Sequence, residues 1–248
     1  MRDSEQSTPS ASFGLIRVHG RDAKKFLQGQ LTCNLDEVHA EHSRLGAHCN
    51  PQGRVLFLFR IFEEQEGYYL VLPGPMAAPA LHLLKKYAIF FKLELRIVEE
   101  ELPPHLDERA RQEWRFFDLS QGIPQIYPET SALFLPHDLR LHELQGLSWD
   151  KGCYTGQEII ARMHYKGKLK NHLSRAQIHT KTQPHRGAEV YLPAAQGGKP
   201  AGFIVDYRTI RYNSLYELLV LTTENNRASL LTLDPLQNET WEWLNEHG

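Results

Sequence analysis

Residues 55–62 read Val-Leu-Phe-Leu-Phe-Arg-Ile-Phe, an apolar run of strand length, and Tyr68 to Leu72 forms a second. Between them lie Glu63, Glu64, Glu66 and Gly67, a polar, glycine-bearing connection of the kind that turns a hairpin. Two neighbouring apolar strands with a short turn commit this part of the chain to an antiparallel sheet, and the flanking segments must supply its cover. Residues 14–18 give another short strand signal, ended by His19-Gly20. Asp22 to Leu31 places Ala23, Phe26, Leu27 and Leu31 at helical spacing. Pro73-Gly74-Pro75 breaks the chain, a helix is expected from about Met76 to Tyr87, and Leu93 to Val98 alternates apolar with polar residues as a half-exposed strand does.

Residues 99–113 are acidic, contain Pro103-Pro104 and read as a linker. Trp114 to Leu119 then suggests a strand ended by Gln121-Gly122-Ile123-Pro124, and Leu139 to Leu144 a short helix. Beyond Lys170 the character changes. Residues 173–179, 188–192, 202–208, 215–223 and 229–233 are short strand signals separated by Pro, Gly and Asn, the pattern of a small all-β module such as a barrel. Trp241, Glu242, Trp243 and Leu244 make an amphipathic tail expected to dock on the body. With 248 residues, 41% hydrophobic and 23% charged, the chain can bury a substantial core in one or two domains.

The same composition excludes several classes. A net charge of −2 gives no global reason to expect nucleic-acid binding. No apolar run approaches the roughly 20 residues needed to cross a bilayer, so no membrane partner is expected. Met1 to Ser12 is polar, without the apolar core of a secretory signal, and reads as a disordered tail. Three cysteines without a Cys-x-x-Cys pair suit neither a disulfide framework nor a zinc ribbon. Cys33, His39, His42, His48 and Cys49 match no standard zinc spacing, and no metal site is expected of them. The expected setting is cytoplasmic.

The chemistry is concentrated in residues 151–158, Lys-Gly-Cys-Tyr-Thr-Gly-Gln-Glu, which run into Ile159-Ile160-Ala161. The spacing predicts a helix from about Gly156 to His164, with Thr155 and Glu158 forming a capping box. Cys153 would stand just outside that helix start, where the macrodipole and Lys151 favour a thiolate. A cysteine between Gly and Tyr at such a place is a better candidate for chemistry than for packing. The other positive feature is Arg162, His164, Lys166, Lys168, Lys170, His172 and Arg175, in which the three lysines alternate. A solvated hairpin edge accounts for them about as well as a site for a polyglutamate tail or RNA phosphates. No Gly-rich phosphate loop or nucleophile elbow occurs.

The octet resembles the signature of the YgfZ family, folate-binding relatives of the glycine-cleavage aminomethyltransferases that are associated with iron–sulfur enzymes and tRNA modification. Residues 20–32, 47–54 and 84–90 resemble other parts of that family, as do Gly122-Ile123-Pro124, Thr130, Phe134-Leu135-Pro136, Gly146-Leu147-Ser148, Ala161-Arg162 and Gly167. The match touches most of residues 13–172. It implies an α+β, aminomethyltransferase-like folate-binding fold with a C-terminal small β-barrel. Residues 1–12 would be a tail; 13–46 and 114–170 a discontinuous first module carrying the octet; 47–113 a second module; and 171–248 the barrel. Between Ile97 and Trp114 this chain is shorter than the family's longer members, so its middle module is cut to a remnant.

The resemblance further implies that Phe13 and Trp114 contact the folate; Phe13 stands where the family often has Trp. Arg162, nearest the octet, joins them as a cofactor-binding candidate. Cys153 is the candidate functional thiol, as a redox-sensitive nucleophile or a transient ligand, with Lys151, Tyr154, Gln157 and Glu158 shaping its site. Related transferases carry a functional aspartate soon after the glycine matching Gly53, where this chain has Val55-Leu56-Phe57-Leu58-Phe59. Aminomethyl transfer requires an ionised carboxylate beside the folate. The expectation is therefore a tetrahydrofolate-binding protein, not an enzyme of the transferase kind, whose partners are iron–sulfur clients or assembly proteins. The alternatives are a tetrahydrofolate-dependent one-carbon transferase, or an RNA-associated module acting through Lys166, Lys168 and Lys170.

Overall fold

The computed structural model describes residues 13–39, 42–64, 67–98, 117–167, 169–211, 214–226, 229–234 and 239–244. The apolar hairpin is present as β3 (Val55–Glu64) and β4 (Gly67–Pro73), and it forms the middle of a larger sheet. With β1 (Phe13–His19), β2 (Arg44–Cys49) and β5 (Glu94–Val98) it makes five antiparallel strands in the order β2-β3-β4-β1-β5. Two helices, α1 (Ala23–Gln30) and α2 (Gly74–Ala88), lie close to the ranges read from the sequence.

The largely apolar runs of β3, interrupted by Arg60, and β4 have a physical cause: both faces of the sheet are covered. Ile16, Val18, Phe57, Phe59, Ile61, Tyr68, Leu70 and Leu72 pack with α1 and α2 residues Phe26, Leu27, Met76, Ala80 and Leu84. On the other face, Leu45, Ala47, Cys49, Val55 and Leu58 pack with residues of the 119–160 segment and of the C-terminal sheet. Leu15, Phe62, Tyr69 and Val71 continue that second face towards β5. Every residue of β4 is buried. Strands from residues 13–46 and 47–113 thus share one sheet, and the boundary read at residue 46 falls inside β2. That strand went unread because Arg44, Gly46 and His48 interrupt its apolar pattern.

The C-terminal strands are β6 (Asn171–His179), β7 (Glu189–Tyr191), β8 (Pro200–Arg211), β9 (Leu215–Thr223) and β10 (Thr240–Trp243). They form an antiparallel sheet in the order β10-β6-β9-β8-β7. The Trp241–Trp243 tail is therefore a strand paired with β6, not merely a docked end. Residues 229–233 contribute only the bridge between Thr232 and Tyr191. Thr232 and Leu233 also bond the Glu239 carboxylate just before β10, at 2.6 Å each. That segment links the two edges of the sheet and gives it a barrel-like closure.

Two expected elements differ. Residues 117–120 form a helical turn rather than strand, and Trp114, like the 99–113 linker and the 1–12 tail, lies outside the described residues. Residues 136–145 are successive turns, because Arg140 and Gln145 have φ values of 58° and 55° and cannot continue a right-handed helix. Among the described residues, no helix is long and apolar enough to cross a membrane.

Candidate functional site

Three sequence segments, far apart in the chain, meet around the octet. Thr32 Oγ1 donates to the Gly146 carbonyl at 2.6 Å and accepts from Ala47 N at 2.9 Å. Ser148 N donates to the Thr32 carbonyl. Lys151 Nζ then reaches back to the carbonyls of Leu31 at 2.6 Å and Cys33 at 2.8 Å. These oxygens lie just past the end of α1, where a cation is favoured by the helix dipole and unpaired carbonyls need donors. Burial draws the Lys151 ammonium down to about 8. Its nitrogen also stands 5.1 Å from the centroid of the Tyr154 ring.

Tyr154 is the buried residue of the octet and packs among Cys49, Val55, Leu58 and Ile160. Burial raises its phenol well above the ordinary value, and its hydroxyl is buried without a hydrogen-bond partner among the described residues. Thr155 N donates to the Gly29 carbonyl at 3.3 Å. The octet's helix, α3, spans Gln157–Lys166. The expected capping box does not form: the N-cap is Gly156, with φ 85°, and no side chain caps the helix. Thr155 Oγ1 instead faces Gln30 Oε1 at 3.4 Å.

Gly156 is required where it stands. A Cβ there would lie 2.5 Å from the Asn50 carbonyl oxygen and 3.3 Å from Cys49 Cβ. Gly53, at φ 74°, presses in turn on Ile159, whose Cβ would sit 3.2 Å from an added methyl. The 49–54 turn and the octet therefore fit backbone to backbone. Cys153, lying between the Lys151 anchor and the Gly156 contact, is exposed, whereas Cys33 and Cys49 are buried. Burial pushes the Cys33 thiol up to about 11 and raises that of Cys49 further. Gln157 is half-buried and Glu158 exposed.

Phe13 lies elsewhere. It is half-buried and packs against the cluster of Leu15, Phe62, Tyr69, Val71 and Val98, which contains no octet residue. Strand register places Arg60 on this same face, opposite Val71, which separates it from Leu15. There its guanidinium pairs with Asp118, four residues after Trp114. Asp118 also accepts from Gln125 Nε2 at 3.3 Å, while Gln125 Oε1 is buried with no partner among the described residues. Leu15, Phe62, Tyr69 and Val71 are buried, and with the orphaned Gln125 acceptor they supply the residue types a pterin needs, flat apolar side chains and a hydrogen-bond partner for its ring edge.

Sequence reading missed this polar set, since nothing local links Arg60 to Asp118, 58 residues apart. It continues into the C-terminal sheet. Gln125 N donates to the fully buried Asp206 at 2.9 Å, and Arg186 bonds Asp206 at 2.8 Å while lying 3.7 Å from the Tyr127 ring centroid. Glu217, also buried, is held by Arg175 and Arg208.

Arg162, Lys166 and Lys170 are exposed, and Lys168 lies outside the described residues. His164 stacks on Trp149 with ring centroids 4.1 Å apart, and Tyr165 is 71% exposed. A separate cleft of about 390 Å³ opens between residues 133–138 and the C-terminal sheet. Arg54, Asp138, Asn171 and Phe203 line it, and none of the described sequence candidates does. Among the described residues, no group of three or more His, Cys, Asp or Glu side chains is arranged to hold a metal ion.

No protein-family model matches the chain. An uncharacterized protein of Haemophilus influenzae is 30% identical over 228 residues, covering 77% of this chain and 80% of its own length. The tRNA-modifying protein YgfZ of Hamiltonella defensa is 26% identical, covering 91% of this chain and 86% of its own. That of Colwellia psychrerythraea is 27% identical over 66% and 68%. Among solved structures, the glycine cleavage system aminomethyltransferase T of Bartonella henselae superposes with a TM-score of 0.63, covering 94% of this chain and 83% of its own. At 12% identity that likeness speaks for the fold.

Proposed function

This chain belongs to the YgfZ family, and on that footing we propose that it is a cytoplasmic tetrahydrofolate-binding protein whose Cys153 thiol supports iron–sulfur enzymes and, through them, tRNA modification. The observation that carries this reading is the display of Cys153. One thiol of three is held out to solvent, on a loop tied to α1 through Lys151 and to the 49–54 turn through Gly156. A rigid backbone around an accessible sulfur suits a nucleophile or a transient ligand, because little ordering cost remains to be met when a client docks.

The folate would lie against the sheet face bearing Phe13, Phe62 and Tyr69, with Trp114 as the second aromatic contact. A bound tetrahydrofolate supplies a reduced pterin ring able to carry a one-carbon unit. The chain's own part there is to present the apolar wall and the Gln125 acceptor. Transfer chemistry is disfavoured by the same geometry. Phe57 and Leu58 fill the strand where the related acid would stand, and Asp118, which reaches that face, is taken up by Arg60 and Gln125.

Two measurements test the two halves of the proposal. In calorimetric titration with tetrahydrofolate, the native protein binds with a saturable heat, and Trp114→Ala weakens affinity by about 10-fold or more, as removal of an aromatic partner worth ~1.5 kcal/mol requires. Unchanged affinity in the mutant rules out the aromatic contact. In cells lacking the native copy, Cys153→Ser accumulates normally yet leaves iron–sulfur enzyme activity unrestored. Full restoration refutes a role for the thiol.

A further inference from the structure

The cleft at the C-terminal sheet is separate from both surfaces used above. At about 390 Å³ it falls within the range of small-molecule pockets, roughly 300–1,000 Å³. Its rim carries Leu133 and Phe203, which are 45% and 42% exposed, large apolar side chains left in water. Asp138 and Asn171 meet there, Asn171 Nδ2 donating to Asp138 Oδ1 at 3.2 Å, and the second Asp138 oxygen accepts from Leu135 N. The cleft thus combines an exposed aromatic face, an acceptor and an amide, the requirements for stacking and reading a nucleobase edge.

One basic residue belongs to this cleft and others lie on segments connected to its wall. Arg54 is in its wall, donating to the Leu133 carbonyl at 2.6 Å. The residue before it, Gly53, presses on Ile159 of α3. Ile159, Arg162 and Lys166 share one helix face by their three- and four-residue spacing, and each is exposed. Lys170, also exposed, immediately precedes Asn171, which borders the cleft. One cation is thus in the cleft wall, one is next in sequence to a wall residue, and two more follow on the exposed face of α3, a spread that suits a chain of phosphates better than a single small anion.

We propose that the Phe203 cleft takes one unpaired nucleotide of an RNA whose phosphates follow the Arg162–Lys166–Lys170 edge. The choice of RNA rests on the link to tRNA modification proposed above; the pocket itself does not depend on folate binding. The test is fluorescence anisotropy of a dye-labelled, short single-stranded RNA at several salt concentrations. Phe203→Ala, a change at an exposed position, should weaken binding about 5- to 100-fold by removing the stacking surface, with the salt slope unchanged. Lys166→Glu with Lys170→Glu should reduce the slope of log K against log salt by about 1.4, near 0.7 for each phosphate that is no longer neutralised. Tetrahydrofolate affinity in all these variants should stay native, which separates this proposal from the folate reading. Native-like RNA affinity in Phe203→Ala overturns it. So does a cleft that binds AMP while the protein shows no RNA affinity.

Discussion

His137 shows most plainly how burial writes pH dependence into this molecule. Both ring nitrogens are buried without partners among the described residues, and His142 and His164 stand nearby, with ring centroids 5.2 and 6.3 Å away. Burial, reinforced by those two neighbours, pushes its imidazole down to about 4, against an ordinary 6.5. Burial also lowers His142. As pH falls below about 6.5 the unfolded chain takes up a proton that the folded chain refuses, so stability declines until the folded pKa near 4 is reached. The decline should amount to roughly 1–3 kcal/mol across that window. Urea unfolding midpoints should fall with pH in the native protein, and His137→Phe should flatten that fall. An identical pH profile in the variant would contradict this account of the ring.

At the scale of elements, the start of α3 is set by backbone contact, not by side-chain capping. Gly156→Ala must place a Cβ 2.5 Å from the Asn50 carbonyl and hold alanine at φ 85°. The expected cost is about 2–4 kcal/mol, the sum of left-handed strain and overpacking. Gly152→Ala is the control, because nothing lies within 4 Å of a Cβ at that position. It should shift stability by less than about 0.5 kcal/mol. Equal, small effects at both positions would show that the octet and the 49–54 turn are not locked together. The sequence announced this element well, since Gln157–Lys166 lies within two residues of the expected span. Its cap was misread because Thr-x-x-Glu fits a capping box locally, while the deciding contact comes from Asn50, over a hundred residues away. For the same reason β2 stayed hidden, and β3 and β4 read clearly: apolar runs buried on both faces need no knowledge of their neighbours.

For the whole molecule, the octet and the run of C-terminal strands were legible from pattern alone, and the α+β class followed from the family resemblance. What joins them was not. The Arg60–Asp118, Arg186–Asp206 and Arg175–Glu217 pairs are assembled by the tertiary fold from residues with no periodic relation. The Phe203 cleft likewise draws on five separated segments. The distribution of the three thiols is also a property of the entire fold: β2 buries Cys49, the segment after α1 buries Cys33, and the anchored octet leaves Cys153 outside. Alkylation of the native protein with iodoacetamide, followed by peptide mass spectrometry, reads that distribution in one step. A single adduct on Cys153, with Cys33 and Cys49 modified only after denaturation, is the predicted result. Protection of Cys153, or equal labelling of all three under native conditions, would contradict it.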